Sequence, residues 1–400
     1  MDQIGVGFVG AGWMGSAQLR LLAARKDVRV LYLAEPNQER GRQVLAEANL
    51  HETKLIDDPA WMMADPKVHA VWLVSPNAHH GPQSLAALNA RKHVFCEKPC
   101  ATNYADYCRQ IELERSHPEL ITYVDYILYF DTMEQKLRQM VAAGDFGTIT
   151  QIQVNYRHPV NISGDKAWKL KKDIMGDAIS MGINHALSVM TWAMASQARP
   201  VSVFAVSQEA KVRGFEADPI WNILVRFDNG ATGFCSGNID NGNGYDFYHS
   251  LYGTAGGFVF DSLLDRPQKV RYWSAAQAEG KWIYPLDAAR CQSAGIAHLA
   301  WPAGATTPDS GDVIHHQLTA CLDHFIDCIH RGAKSPLGFA NSAPIAQIGW
   351  AAQASAILGQ EVSLPLDAQS IGSLENRQAR NASVRENFQL PTAFPKHKPR

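Results

Sequence analysis

Short apolar runs alternate with amphipathic stretches along the first third of the chain. Each run has the length of a buried strand, and three of the intervening stretches have the spacing of a helix. Strands separated by such helices favour parallel pairing with right-handed crossovers. The predicted strands are 4–9, 28–33, 68–74, 93–96 and 121–126, and the predicted helices are 16–25, 38–48 and 82–90.

Near residue 130 the pattern changes. A predicted helix at 133–143 is followed by Ile152, Val154 and Tyr156 in alternation with polar residues, which is typical of a half-buried strand. The Asp-Asn-Gly turn at 228–230 predicts a hairpin between two later strands. The remaining predicted strands are 201–206, 221–227, 231–238, 247–252 and 270–273, and the two late helices are 317–329 and 343–358.

These patterns predict an α/β protein in three segments. Residues 1–126 form a doubly wound domain around a parallel sheet. Residues 127–365 form a second α/β domain whose sheet is open and mostly antiparallel. Residues 366–400 form a polar C-terminal tail.

Composition narrows the classes of function. Of the 400 residues, 46% are hydrophobic and 19% are charged, which excludes a disordered or fibrous chain. The net charge of −2 lacks the basic excess of a nucleic-acid binder, so we expect no nucleic-acid partner. The most apolar long stretch, 178–195, contains Asn184 and His185, which indicates a buried helix and no membrane span. The start of the chain lacks the pattern of a signal peptide, and the seven cysteines are scattered, so we expect reduced thiols in the cytoplasm.

A glycine motif provides the strongest sign of chemistry. The motif, Gly10-Ala11-Gly12-Trp13-Met14-Gly15, follows a predicted strand and opens a predicted helix, which is the arrangement that binds a dinucleotide pyrophosphate. Glu35 ends the second strand about 20 residues later, where a carboxylate holds the adenosine ribose hydroxyls. Because Glu35 would repel a 2′-phosphate, we expect NAD rather than NADP.

Two further loops follow predicted strands and therefore border the same ligand crevice. The first is Ser75-Pro76-Asn77-Ala78-His79-His80, although two adjacent histidines alone indicate only a polar surface. The second contains Glu97 and Lys98. An ammonium group beside a nicotinamide would hold a substrate hydroxyl and stabilise alkoxide character as the hydride leaves.

In combination these motifs resemble the Gfo/Idh/MocA family, the glucose–fructose oxidoreductase and inositol dehydrogenase family, over about residues 4–365. The resemblance implies a Rossmann domain, a second domain whose open sheet often makes an oligomer interface, NAD(P) and a sugar or cyclitol substrate. It also implies that Lys98 is catalytic. The segments that carry the resemblance are 10–15, 75–77 with His80, 97–99, 129–131, 144–147, 253–257 and 359–365.

The chain departs from the family at its second catalytic pair, an Asp and a His four residues apart. If His185 is the family histidine, Met181 occupies the Asp position; in the other register the pair becomes Ser180 and Asn184. Neither register contains the Asp. Asp177, about two helical turns before His185, is a candidate replacement, and Asn184 is another through hydrogen bonding.

Weaker signals complete the candidate set. Trp168 lies in a lysine-rich run, 165–173, that is able to grip an anionic sugar but is more typical of a solvated loop. Tyr245 lies in a loop rich in Asn, Asp and Gly that lacks the later Glu of a calcium loop, so we expect no metal. The predicted cofactor contacts are Gly10, Gly12, Trp13, Met14, Gly15, Glu35, Ser75, Pro76, Asn77, His80, Glu97 and Lys98. The predicted substrate contacts are Lys98, Tyr126, Trp168, Asn184, His185 and Tyr245.

The sequence therefore predicts an NAD-dependent oxidoreductase that takes a hydride from a secondary hydroxyl of a sugar or cyclitol. Lys98, His185 and Asp177 are the candidate catalytic residues, and a homo-oligomer, a dimer or tetramer, is expected. Two alternatives stay open. One is a glycosidase that oxidises a sugar transiently and returns the hydride, and the other is a non-catalytic dinucleotide-binding sensor.

Overall fold

Two β-sheets organise the chain in the computed structural model, which describes residues 3–241, 246–263, 269–274, 283–285, 287–295, 297–298 and 317–376. The first sheet is parallel and the second is mostly antiparallel. The predicted fold class is confirmed.

The first sheet contains β1 (Ile4–Val9), β2 (Val28–Ala34), β3 (Lys54–Ile56), β4 (Ala70–Leu73), β5 (His93–Glu97) and β6 (Thr122–Asp125). These strands pair in parallel in the order β3-β2-β1-β4-β5-β6. The chain order reverses beside β1. An open parallel sheet binds ligands at such a reversal, outside the carboxyl ends of its strands.

The helices that cross over between these strands are α1 (Trp13–Ala23), α2 (Gln38–Glu47), α3 (Ala60–Met63), α4 (His80–Asn89) and α5 (Tyr104–Ser116). Polar caps begin two of them: Asn37 accepts from the Arg40 N–H at 3.0 Å, and Asn103 accepts from the Asp106 N–H at 2.8 Å. The three predicted helices are present with shifted ends, whereas β3, α3 and α5 were not predicted.

The second sheet contains β7 (Ile149–Arg157), β8 (Pro200–Gln208), β9 (Ile220–Phe227), β10 (Thr232–Asn238), β11 (Asp246–Gly253), β12 (Gly256–Leu263), β13 (Lys269–Ser274) and β14 (Val362–Ser363). Their order is β13-β12-β11-β7-β10-β9-β8-β14. Among the described strand pairs of this second sheet, only β7–β10 is parallel. The predicted hairpin joins β9 to β10, whereas β12 was not predicted.

The later helices are α6 (Thr132–Ala143), α7 (Lys172–Met175), α8 (Asn184–Met194), α9 (Ala288–Ala294), α10 (Leu318–Arg331), α11 (Ala343–Leu358) and α12 (Ala368–Glu375). Asp131 begins α6 by accepting from the Met133 and Glu134 N–H groups at 2.9 and 3.2 Å. A π-helical turn, Ile179–Ile183, leads into α8. Among the described helices, none is both long enough and apolar enough to cross a membrane.

Helix α10 returns to the first sheet. The ring of Phe325 lies 5.3 Å from the ring of Trp72 on β4 and 5.6 Å from the ring of Phe95 on β5. The domain division predicted at residue 126 stays a prediction. It assigns α10 to the second domain, whereas the helix packs against the sheet of the first. The tail predicted from residue 366 begins with α12, and residues 377–400 lie outside the described part of the chain.

Candidate active site

A cavity of about 860 Å³ lies at the carboxyl ends of the parallel strands and is closed on its far side by the second domain. The first domain contributes the glycine turn and the loops after β2, β4 and β5. The second domain contributes the end of β7, the 3₁₀ helix Gly164–Leu170 and the π-helical turn. This size is within the range of small-molecule and cofactor sites.

The glycine turn is shaped for a phosphate group. A methyl group placed on Gly12 would meet no protein atom within 4 Å, so this face of the turn is open. The same group on Gly15 would lie 2.2 Å from the Gly10 carbonyl oxygen, so the helix can approach the turn only because this residue is glycine. The turn and the start of α1 fit a dinucleotide pyrophosphate.

Glu35 is held at the edge of the cavity by main-chain donors. One carboxylate oxygen accepts from the Ala11 N–H at 2.8 Å, and the other accepts from the Asn37 N–H at 2.9 Å. Arg40, on α2, donates to the Ala11 carbonyl and to Ser16 Oγ, both at 3.0 Å. The site therefore fits the ribose hydroxyls of NAD, and the Glu35 carboxylate would repel the 2′-phosphate of NADP.

The loop after β4 is joined to the loop after β5 through His80. Its ring nitrogens lie 2.7 Å from the Ser75 carbonyl and 2.7 Å from the Pro99 carbonyl. Burial lowers the pKa of His80 to about 4, whereas each of the two carbonyl contacts opposes that shift. Asn77 donates to the Met175 carbonyl at 2.9 Å. These two residues therefore set the shape of the cavity wall.

Lys98 is half-buried in the cavity wall, and its ammonium group donates to the Met181 carbonyl at 2.6 Å. The contact joins the end of β5 to the π-helical turn of the second domain. Met181, which occupies the family's Asp position if His185 is the family histidine, has a thioether side chain that also lines the cavity.

A buried carboxyl pair lies beneath Lys98. Gln18 donates to Glu97 at 2.9 Å and to Asp125 at 3.1 Å, and its own oxygen accepts from Trp72 at 2.8 Å. Burial, and then the neighbouring Glu97 carboxylate, raise the pKa of Asp125 well above its usual range. Both carboxyl groups border the cavity.

His185 lines the cavity at the start of α8 and is buried. Its ring lies 5.6 Å from the ring of Tyr156, which ends the inward face of β7. The cavity therefore contains Lys98 and His185 together with the glycine turn. A cation and an imidazole beside a cofactor cradle are able to orient a hydroxyl group and remove its proton.

Asp177 lies outside the lining of this cavity. Its carboxylate accepts from the Ser180 N–H at 2.8 Å, from Ser180 Oγ at 3.0 Å and from Gln353 at 3.0 Å. These bonds hold the π-helical turn against α11. The three hydrogen bonds account for the burial of the Asp177 carboxylate, and its position outside the lining gives it no contact with the cavity.

Two predicted substrate contacts also lie elsewhere. Tyr126 and Asn184 border a separate small cavity beside α11, and Asn184 donates to the Ser180 carbonyl at 3.0 Å. Tyr245 lies outside the described residues. Trp168 lines the main cavity as predicted, and so does every predicted cofactor contact except Gly15, which packs behind the turn.

The structure adds cavity residues that sequence reasoning did not select. The lysine-rich run was interpreted as a solvated loop, but its Lys166 and Lys169 line the cavity. Burial, followed by the charges of Lys98 and Lys166, lowers the pKa of Lys169 to about 8. Other added residues are Asp57, Gln83, Asp125, Tyr156 and His158. Among the described residues, no group of three or more His, Cys, Asp or Glu side chains is arranged to hold a metal ion.

Comparison with known families and proteins agrees with this geometry. Residues 4–125 match a family model described as an oxidoreductase family with an NAD-binding Rossmann fold, and residues 135–259 match the GFO/IDH/MocA C-terminal domain. The chain is 27% identical to an inositol 2-dehydrogenase of Acidothermus cellulolyticus over 254 residues, 63% of this chain and 71% of that protein. It is 25% identical to a myo-inositol 2-dehydrogenase of Thermotoga maritima over 271 residues, 65% of this chain and 76% of that protein.

Solved structures share the whole fold at low sequence identity. A levoglucosan dehydrogenase in complex with NADH and levoglucosan has a TM-score of 0.72 and 20% identity, and the match covers 91% of this chain and all of that one. An oxidoreductase domain protein from Kribbella flavida has a TM-score of 0.76 and 19% identity, with 91% and 100% coverage. At this level of identity the likeness concerns the fold.

Proposed function

The chain belongs to the Gfo/Idh/MocA oxidoreductases, an NAD-binding family, and on that premise we propose that it oxidises a secondary hydroxyl group of a sugar or cyclitol. One observation carries the proposal: Lys98 and His185 line the same cavity as the glycine turn and Glu35. The inositol dehydrogenases among the similar proteins support this substrate class.

Different residues of the cavity would bind the cofactor, bind the reacting hydroxyl and remove its proton. The glycine turn and Glu35 would hold the pyrophosphate and the adenosine ribose of NAD, which supplies the hydride acceptor when bound. The Lys98 ammonium would bind the oxygen of the reacting hydroxyl and stabilise its developing negative charge. His185 would accept the hydroxyl proton, since imidazole is the common base near neutral pH.

The hydrogen bond to the Met181 carbonyl would fix the position of the Lys98 side chain. The carbonyl accepts from the lysine at 2.6 Å and is neutral, so it orients the ammonium group without cancelling its charge. This contact therefore leaves the Lys98 ammonium charged toward the substrate oxygen. We propose that this main-chain contact performs part of the orientation that an Asp at Met181 would otherwise perform.

We also propose a homo-oligomer formed through the second sheet. Its outer face exposes Val201, Phe204 and Val206 on β8, and Leu224 on β9 pairs directly with Phe204. Phe204 is 41% exposed and Val206 is 46% exposed. A row of apolar side chains on one sheet face favours burial by a second copy.

All seven cysteines are free thiols, which supports the proposed cytoplasmic location.

The experiment that tests the proposed reaction is a panel of cyclitols, aldoses and polyols incubated with NAD while reduced nicotinamide is measured. We expect reduced nicotinamide to accumulate with at least one member, and we expect that signal to disappear in Lys98→Met. NAD affinity, measured by titration of both proteins, serves as the control. A protein that binds NAD but reduces none in the presence of any member would support the sensor alternative.

A further inference from the structure

The cavity contains an excess of positive charge on the side of the second domain. Lys166 and Lys169, on the 3₁₀ helix Gly164–Leu170, line the same cavity as Lys98. Among the described residues, Asp165 is the one carboxylate that acts on Lys169, and its effect is smaller than that of either neighbouring lysine. By contrast Lys171, from the same run but outside the cavity, pairs with Glu216 at 2.7 Å.

The two cavity lysines lie near different parts of the site. Lys166 Nζ lies 5.1 Å from the ring centre of Trp13, the residue that follows the open glycine of the turn. Lys169 Nζ lies 5.9 Å from the ring centre of Trp168, and Lys98 is the charge that acts on it most strongly. Lys166 is therefore beside the phosphate cradle, whereas Lys169 is beside the residue that binds the reacting hydroxyl.

We propose that the substrate is a sugar that carries a carboxylate or a phosphate, and that Lys169 binds this anionic group while Lys98 binds the reacting hydroxyl. This inference rests on the proposed function, because it names the substrate class of the same site. The charges of Lys98 and Lys166 act on Lys169 more strongly than the opposing carboxylate of Asp165, and an anion bound beside Lys169 relieves that repulsion. A neutral polyol does not relieve it, and a charge-assisted hydrogen bond is stronger than a neutral one.

The pH dependence of binding follows from the charge of Lys169. Its pKa is lowered to about 8 by burial and then by Lys98 and Lys166, with Asp165 opposing, so the side chain is cationic below that pH. Other titratable groups that line the same cavity are His79, His80, His158 and His185 and the carboxyl groups of Glu35, Asp57, Glu97, Asp125 and Asp165. The preference for an anionic sugar should be near its maximum at pH 7, should be declining through about pH 8 as Lys169 loses its proton, and should be small well above that pH. Lys169→Arg should keep the preference at every pH in this range, because a guanidinium does not titrate there.

The test is calorimetric titration of the protein saturated with NADH, which cannot accept a hydride, so that no probe is oxidised during the measurement. The probes are D-glucuronate, D-galacturonate and D-glucose 6-phosphate, each compared with its neutral partner, D-glucose or D-galactose. We expect at least one anionic sugar to bind roughly tenfold or more tightly than its neutral partner, the effect of one charge-assisted contact. The larger gain in affinity over the neutral partner, for a uronate or for the sugar phosphate, shows whether the site prefers a carboxylate or a phosphate.

Matched variants assign the effect to one lysine. Lys169→Gln should remove the preference and Lys169→Arg should retain it. Lys166→Gln, three residues away on the same helix, should weaken cofactor binding and retain the preference once NADH is saturating. The proposal is overturned if the unmodified protein shows no preference, if Lys169→Gln retains it, or if Lys166→Gln alone removes it. Because binding is read without turnover, a failure of the proposed oxidation, with no reduced nicotinamide from any sugar, remains distinguishable.

Discussion

The ammonium group of Lys98 donates a hydrogen bond to the main-chain carbonyl of Met181 across 2.6 Å. Lys98 follows β5 of the parallel sheet, and Met181 lies in the π-helical turn of the second domain. The contact therefore joins the two domains in the wall of the cavity that the glycine turn and His185 also line. It also supplies a neutral acceptor at the place where the related enzymes are expected to carry a carboxylate.

Lys98→Met should lower turnover by about 100-fold or more and leave NAD affinity unchanged, because the ammonium group acts on the substrate oxygen. Turnover and NAD titration on the same preparation check this. Lys171→Met is the matched control, since Lys171 is exposed and pairs with Glu216 outside the cavity. Near-normal turnover in Lys98→Met would remove the proposed role of this lysine.

His185 and Asp177 should respond differently to substitution. His185→Asn should lower turnover by about 100-fold or more, because it removes the proposed base. Asp177→Asn should lower the free energy of unfolding by about 1–3 kcal/mol and leave the turnover of the folded protein near normal, because its carboxylate holds Ser180 and Gln353. Thermal unfolding and turnover distinguish the two. Loss of turnover in Asp177→Asn without loss of stability would instead make Asp177 the missing carboxylate.

Alanine at two glycines of the turn should separate cofactor binding from folding. A Cβ on Gly12 meets no protein atom within 4 Å, so Gly12→Ala should keep its melting temperature and lose roughly tenfold or more in NAD affinity. A Cβ on Gly15 would lie 2.2 Å from the Gly10 carbonyl, so Gly15→Ala should destabilise the first domain. Equal NAD affinity in Gly12→Ala and the unmodified protein would mean that no phosphate approaches this turn.

The sequence predicts a site residue only where the residues next to it in the chain show that it follows a strand or belongs to a motif. The glycine turn, Glu35 and Lys98 each follow a recognisable strand, so their position at the crevice was predictable. The position of Lys169 in the cavity was not predictable, because a lysine-rich run has the same composition whether it is solvated or packed over a cavity. Asp125 ends β6 and was missed because nothing local indicates that Glu97 lies beside it.

The same limit applies to the fold. The late helix was predicted from its apolar spacing, but its packing against Trp72 and Phe95 depends on contacts more than 200 residues apart in the chain. Strand β12 begins with two glycines, Gly256 and Gly257, which weaken the strand pattern. Its pairing with β11 and β13 establishes it instead.

Asp125→Asn should change how stability depends on pH. The pKa of Asp125 is raised in the folded protein, so above about pH 4, the unfolded value, the folded state holds the proton more tightly. The stability associated with that proton is fully present below this value and is lost as pH rises through the folded pKa. The variant, which mimics the protonated form, should therefore lose less stability from pH 4 to pH 9. Parallel pH profiles for both proteins would contradict a protonated Asp125.

The central claim is that this cavity transfers a hydride from a sugar hydroxyl and keeps it on the cofactor. The most direct measurement follows reduced nicotinamide and released aglycone together, with NAD in excess and a panel of free cyclitols, free and anionic sugars and aryl glycosides. The account predicts one reduced nicotinamide for each molecule of ketone formed from a free sugar or cyclitol, and no aglycone release. Release of aglycone from a glycoside without accumulation of reduced nicotinamide would contradict it, because the hydride would then return to the sugar.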